Sequence, residues 1–315
     1  MPIGIVLATT DPASTVAEIR RLEDMGITAT WLRSGGVGGD PATIFAVAAT
    51  NTQRILLGTS IAPIWEKHPI ALATQAQAVS LLSHGRFRLG VGTSAWRLMD
   101  RIYGARFNPP LGHLKEYVQI LKSVLQQGSV DYHGKYFTAR TELPLNPVPP
   151  MVPVMISALR VKSFQLAGAE ADGAISQVCP HPYLRDVALP ALRHAAAEAN
   201  RESPPLIVHT PVCVHGNIEE AREGFRQELG FYPRTRLYAK MLADAGYPGA
   251  QETGWTDEMV DSMLVTGNDD QVERKLLDLF NWGVSELIVS VIPAGSDQTA
   301  SVQRTEKFLA RFTNS

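Results

Sequence analysis

Cysteine is nearly absent from this chain of 315 residues: only Cys179 and Cys213 occur. Each sits in an apolar segment with no second Cys or His at metal-ligand spacing. That fits a reducing compartment, by default the cytoplasm, and no disulfide framework. Long hydrophobic runs are missing too. No stretch reaches the roughly 18 apolar residues of a membrane span, and the opening MPIGIVLATTDPAS lacks the basic start and apolar length of a secretion signal. Charge of one sign is not in excess either: 29 basic and 31 acidic residues are interspersed, for a net charge of -2. A nucleic-acid or anionic-membrane partner would need a sustained positive field, so a small-molecule partner is expected. Finally, no strand end offers His-x-His or clustered carboxylates, and no metal site is expected.

What remains, 45% hydrophobic and 19% charged residues, has the composition of a globular protein with a sizeable core. Short β-branched runs alternate with helical patterns, the mark of βα units. The strands read as IGIVLAT (3–9), TATWL (28–32), RILLGTSIAPI (54–64), GRFRLGVG (85–92), VPVMIS (152–157), DGAISQV (172–178), LIVHTPVCV (206–214) and SELIVSV (285–291). Asp11-Pro12 and Asp40-Pro41 supply an N-cap followed by proline, which starts a helix. Leu114, Val118, Leu121 and Val124/Leu125 line one face of a helix over 111–127. VDYHGKYFT predicts a hairpin insertion near 129–150, residues 230–265 read as a helical insertion, and the segment after the fourth strand, WRLMDRIYGARFNPP, reads as irregular. Eight strands separated by helices make a closed (β/α)8 TIM barrel, one domain over 1–315, the expected fold ahead of an open doubly wound sheet.

Gly90-Val91-Gly92-Thr93-Ser94-Ala95 fits the loose pattern G-x-G-x-x-A of a dinucleotide-binding turn. That fingerprint belongs in the first βα unit and needs an acidic residue about 20 positions on. Here it follows the fourth strand, so it reads instead as the mouth of a barrel.

The run LLGTSIAPIWEKHPIALATQAQAVSLLSHGRFRLGVGTS resembles the luciferase-like flavin and deazaflavin oxidoreductases. HLKEYVQILKSVLQQGSVDYHGKYFT, VPVMISALRVKSFQLAGAEADGAI and VTGNDDQVERKLLDLFNWGVSELIV resemble further segments of that family, so the likeness spans residues 3–230 and 264–292. In GTSIAP the chain is most similar to members that use the deazaflavin coenzyme F420.

The resemblance implies a luciferase-like TIM barrel with insertions, a homodimer, and a ring system at the carboxyl ends of the strands. It implies a cis peptide at Ser60-Ile61 beneath the ring, with Gly92, Thr93 and Ser94 against the ring and its ribityl chain. Ser157, Ala158, Leu159 and Arg160, or Lys162, open a helix whose amides suit a phosphate. Gln177 reaches the ring edge or is a structural amide. Trp65 and Trp96 read as walls of the substrate pocket, and His68 as a helix cap before a chemical group. Where many relatives carry an acid or histidine after strand two, this chain has Arg33 and Ser34. Arg33 then orients a substrate oxygen or pairs with Asp40. The expected activity is F420-dependent hydride transfer to an electron-poor C=C, C=N or C=O, or from an alcohol in reverse. The alternative is a reduced-FMN monooxygenase, and a third reading is a non-catalytic barrel.

Overall fold

The computed structural model describes residues 1–8, 11–34, 39–105, 109–142 and 151–314. Its centre is a parallel sheet whose strands pair in chain order: β1 (Ile3–Ala8), β2 (Ala29–Arg33), β3 (Leu56–Thr59), β4 (Phe87–Gly92), β5 (Val154–Ser157), β6 (Gly173–Ile175), β7 (Leu206–Val214) and β8 (Glu286–Val291). The sheet closes where Leu206 and Ile207 of β7 pair with Ala174 and Ile175 of β6. Closure into an 8-stranded barrel removes every edge of the ring and excludes the doubly wound alternative.

The first three helices start at the same local signal. Prolines at the first turn open α1 (Pro12–Asp24), α2 (Pro41–Asn51) and α3 (Pro69–Leu82). Asp11 accepts the Ser14 amide at 2.9 Å, Asp40 accepts the Thr43 amide at 2.9 Å, and His68 accepts the Ile70 amide at Nδ1 at 3.3 Å. Each cap satisfies a donor that the helix leaves unpaired.

Three elements depart from the sequence reading. The third strand is broken: after Thr59 the chain passes through Ser60 and Ile61, then pairs again with β4 at Ala62–Pro63. The segment read as irregular contains a helix, α4 (Trp96–Tyr103), ended by Gly104 at φ 62°. It lacks a side-chain cap, which hid its start, and it is held by the fully buried Met99. A short strand, Val265–Gly267, pairs in parallel with the end of β7 at Val212–Val214, on the edge opposite β8.

Two additions sit on the barrel. After α5 (Pro110–Lys122), strands 129–133 and 138–142 form an antiparallel hairpin. Glu116 of α5 clamps its turn by accepting the amides of Lys135, Tyr136 and Phe137. Residues 143–150 of the expected insertion lie outside the described residues. Over 230–265 the chain forms a short 3-10 turn, Tyr232–Arg234, and helices Arg236–Asp244, Ala250–Thr253 and Asp257–Asp261. Among the described residues no helix is long and apolar enough to cross a membrane.

Candidate functional site at the barrel mouth

Strand register decides which side chains face the barrel axis. Val6 pairs with Trp31, Trp31 with Gly58, Gly58 with Arg88, Ser157 with Ile175, and His209 with Ile288, so these positions share one face. That face is the interior, because Trp31, Met155, Ile175, Ile207 and Ile288 form a buried cluster there. Alternate strands then contribute successive rings of four. Trp31, Gly90, Ile175 and Ile288 make an apolar ring. Val6, Ser60, Ser157 and His209 follow above it, and Arg33, Gly92, Gln177 and Ser290 form the uppermost ring, which is the floor of the mouth.

Five residues expected from the sequence therefore converge: Arg33, Ser60, Gly92, Ser157 and Gln177. The Ser60–Ile61 peptide is cis, as the resemblance implies. Ser60 is 8% exposed, and its Oγ has no hydrogen-bond partner among the described residues. A buried hydroxyl without a partner is costly unless a ligand completes it. At Gly92 the reason for glycine is internal: a Cβ would lie 2.1 Å from Ser157 Oγ and 3.2 Å from Ile61 Cδ1. The small residue lets β4 and β5 approach closely below the mouth, and the surface above stays polar and uncluttered. These features fit a flat ring seated over β3, β4 and β5.

Around that floor the other expected residues have settled roles. Thr93 accepts the Trp65 indole N–H at its carbonyl, 2.8 Å, and Trp65 packs against His113, placing it in the rim. Ser94 adopts φ 55° at the turn into α4. The backbone of Trp96 opens α4, and its side chain lies outside the described residues. His68 sits at the α3 cap with its ring against Phe137, away from the floor. Gln177 donates from Nε2 to the Tyr232 hydroxyl, 3.1 Å, tying the strand end to the helical insertion.

At the turn into α6 (Val161–Glu170), the amides of Leu159 and Arg160 both donate to Ser163 Oγ, at 2.9 and 3.1 Å. The Ala158 amide donates to the Ile175 carbonyl. The Arg160 guanidinium makes a forked pair with Asp244, at 2.6 and 3.1 Å. The amides expected to hold a phosphate thus already have partners within the protein. Asp40 pairs with Lys67 as well as capping α2.

Sequence reasoning missed three groups. His209 is fully buried in the interior face of β7, and its Nε2 lies 2.8 Å from Ser290 Oγ of β8. Burial, then the positive charge of Arg33, then His181, push its pKa down to about 3, so the imidazole is neutral. His181, whose enclosed Nε2 has no partner among the described residues, is likewise held down to about 4 by burial. On the other side of the mouth, burial raises the pKa of Glu66, which lies 3.4 Å from Ser34 Oγ. The signal for His209 and Ser290 was a polar residue at an inward strand position, visible only once the register is known.

The sequence pattern of the luciferase-like monooxygenases matches residues 3–286. A 5,10-methylenetetrahydromethanopterin reductase from Archaeoglobus fulgidus is 25% identical over 306 residues, covering 90% of this chain and 91% of that protein. An F420-dependent secondary alcohol dehydrogenase, solved with an F420–acetone adduct, superposes with a TM-score of 0.81 at 15% identity over 99% of this chain and 98% of its own. The oxygenating part of 3,6-diketocamphane monooxygenase from Pseudomonas putida, solved with FMN, gives 0.76 at 17% identity over 99% and 97%.

Proposed function

Because the chain belongs to the luciferase-like monooxygenase family, we propose that it is an F420-dependent oxidoreductase passing a hydride between the deazaflavin and a small organic substrate. The substrate class is an electron-poor C=C, C=N or C=O bond, or an alcohol in the reverse direction. The observation that carries this reading is the polar floor itself: a buried Ser60 hydroxyl with no partner among the described residues, beside the Gly92 and Ser157 contact, with the guanidinium-bearing Arg33 one ring higher.

Hydride transfer is chemistry that the deazaflavin supplies when bound. The protein's share is alignment and exclusion of water. Ser60 Oγ and the Gly92–Ser94 turn would seat the ring. Arg33 would orient an electron-rich substrate oxygen, and Trp65 would close the rim. Preference for F420 over FMN is supported by a putative coenzyme F420-dependent oxidoreductase of Mycobacterium tuberculosis, 25% identical over 82% of this chain and 84% of its own, and by the GTSIAP sequence. Preference for FMN would instead indicate an oxygen-activating monooxygenase, the reading favoured by the FMN-bound structural neighbour. The homodimer and the cytoplasmic location belong to the same proposal.

Fluorescence titration of cofactor-free protein with oxidised F420 and, separately, with FMN tests it. Tight binding of F420 and weak binding of FMN is the expected result. The reverse order overturns it, and binding of neither leaves a barrel without this chemistry.

A further inference from the structure

Resting on that reading of the mouth, we infer that Ser290 is a substrate-facing hydrogen-bond donor, aimed by His209, and that with Arg33 it forms a pocket for a carbonyl or carboxylate oxygen.

The direction of each hydrogen bond follows from the imidazole. His209 Nδ1 accepts the Val178 amide at 3.3 Å. The donor residue, Val178, is held at φ 49°, a conformation that costs a β-branched side chain energy and persists here next to the mouth. With Nδ1 an acceptor, the neutral ring carries its proton on Nε2, which donates to Ser290 Oγ at 2.8 Å. The hydroxyl hydrogen of Ser290 then has to find its own acceptor. None exists among the described residues, and Ser290 is only partly covered, at the last inward position of β8.

Placement decides what it meets. The ring-seating features belong to β3, β4 and β5. Arg33 on β2 and Ser290 on β8 flank β1 on the other side of the same floor, where the second reactant must stand. Both are donors. Among the described residues, Arg33 and His181 are the titratable groups whose charge acts on His209. An acceptor oxygen suits this corner, whereas an ammonium group would be repelled. His209 remains neutral, so it is a positioning residue and no source of protons. Its work is to hold the Ser290 hydrogen toward the site, the arrangement that favours charge developing on a carbonyl oxygen.

The test uses acetate as an oxyanion probe, titrated into protein loaded with whichever ring it binds, F420 or FMN, and read from the chromophore. Wild-type protein is expected to bind acetate. Ser290→Ala is expected to weaken acetate by about tenfold, as for loss of a hydrogen bond to a charged group, with ring affinity unchanged. Ser290→Thr, which keeps the hydroxyl, is expected to restore acetate affinity to within about twofold of wild type. Nitrogen-15 spectra of the histidines should show His209 protonated at Nε2 from pH 5 to 9. The inference is overturned by no acetate binding, by acetate affinity indifferent to Ser290→Ala, by a matching loss of ring affinity, or by a His209 that titrates in this range. An FMN preference sinks the F420 reading and leaves this inference standing, so the two failures are distinguishable.

Discussion

Arg88 and Glu286 join β4 to β8 by a forked ion pair across the interior at the closed end of the barrel, with one contact at 2.9 Å. The same carboxylate accepts the Trp31 indole N–H at 3.0 Å, and the guanidinium lies 4.5 Å from the centre of that indole ring. Three strands are thus tied through one carboxylate, which is 8% exposed. Removing one partner leaves the other charge enclosed. Glu286→Gln is expected to destabilise the barrel by about 3–5 kcal/mol in urea unfolding. Replacing both charges, Arg88→Met with Glu286→Leu, should cost less than the single change, because no isolated charge is left behind. A double variant weaker than either single one contradicts this account.

Trp31 also explains two glycines. A Cβ at Gly4 would lie 2.7 Å from the indole, and one at Gly58 would lie 2.5 Å from it. The large ring fills the axis because its neighbours on β1 and β3 have no side chain. Gly58→Ala is expected to destabilise by about 1–3 kcal/mol through overpacking. Combining it with Trp31→Phe should recover part of that loss in thermal unfolding. Additive effects would show that the indole is not what crowds the site.

The barrel was legible because its punctuation is local. Asp11-Pro12 and Asp40-Pro41 cap their helices, and each β-branched run between such signals became a strand. Helix α4 was not legible: Ala95 gives no side-chain cap, and polar Arg97, Asp100 and Arg101 surround Met99, the one buried side chain among its described residues. Strand Val265–Gly267 is three residues long and ends on a glycine, too little for a pattern. At the site, Arg33, Gly92 and Gln177 could be named because they stand where strands end. His209 could not. Every residue of β7 is buried, so alternation carries no signal there, and its meeting with Ser290 depends on a register set by barrel closure.

The buried histidine makes stability depend on acid. His209 has a native pKa near 3 against 6.5 for the free group, so below pH 6.5 the unfolded chain binds a proton that the native state refuses. Its contribution is fully present above pH 6.5 and is lost progressively as pH falls toward about 3; His181, held down to about 4, acts in the same direction. Urea midpoints should therefore drop between pH 6.5 and 4.5. His209→Gln, whatever its effect at pH 8, should flatten that slope. An unchanged slope in the variant would mean that the acid sensitivity resides elsewhere.

The turn into α6 allows the phosphate assignment to be tested without touching the floor. Arg160 and Asp244 are 42% and 35% exposed, so their pairing contributes under about 1 kcal/mol, and Asp244→Asn should leave the unfolding midpoint nearly unmoved. The substitution releases the guanidinium at the start of a helix whose Leu159 and Arg160 amides already serve Ser163. A phosphate docking there must compete with Asp244 for Arg160. Asp244→Asn is then expected to tighten F420 and FMN, which both carry phosphate, by a few-fold, and to leave riboflavin, which does not, unchanged. Arg160→Ala should weaken the phosphate-bearing pair alone. If Asp244→Asn moves neither class of ligand, the phosphate is held by another part of the mouth and the role expected of Arg160 from the sequence is structural.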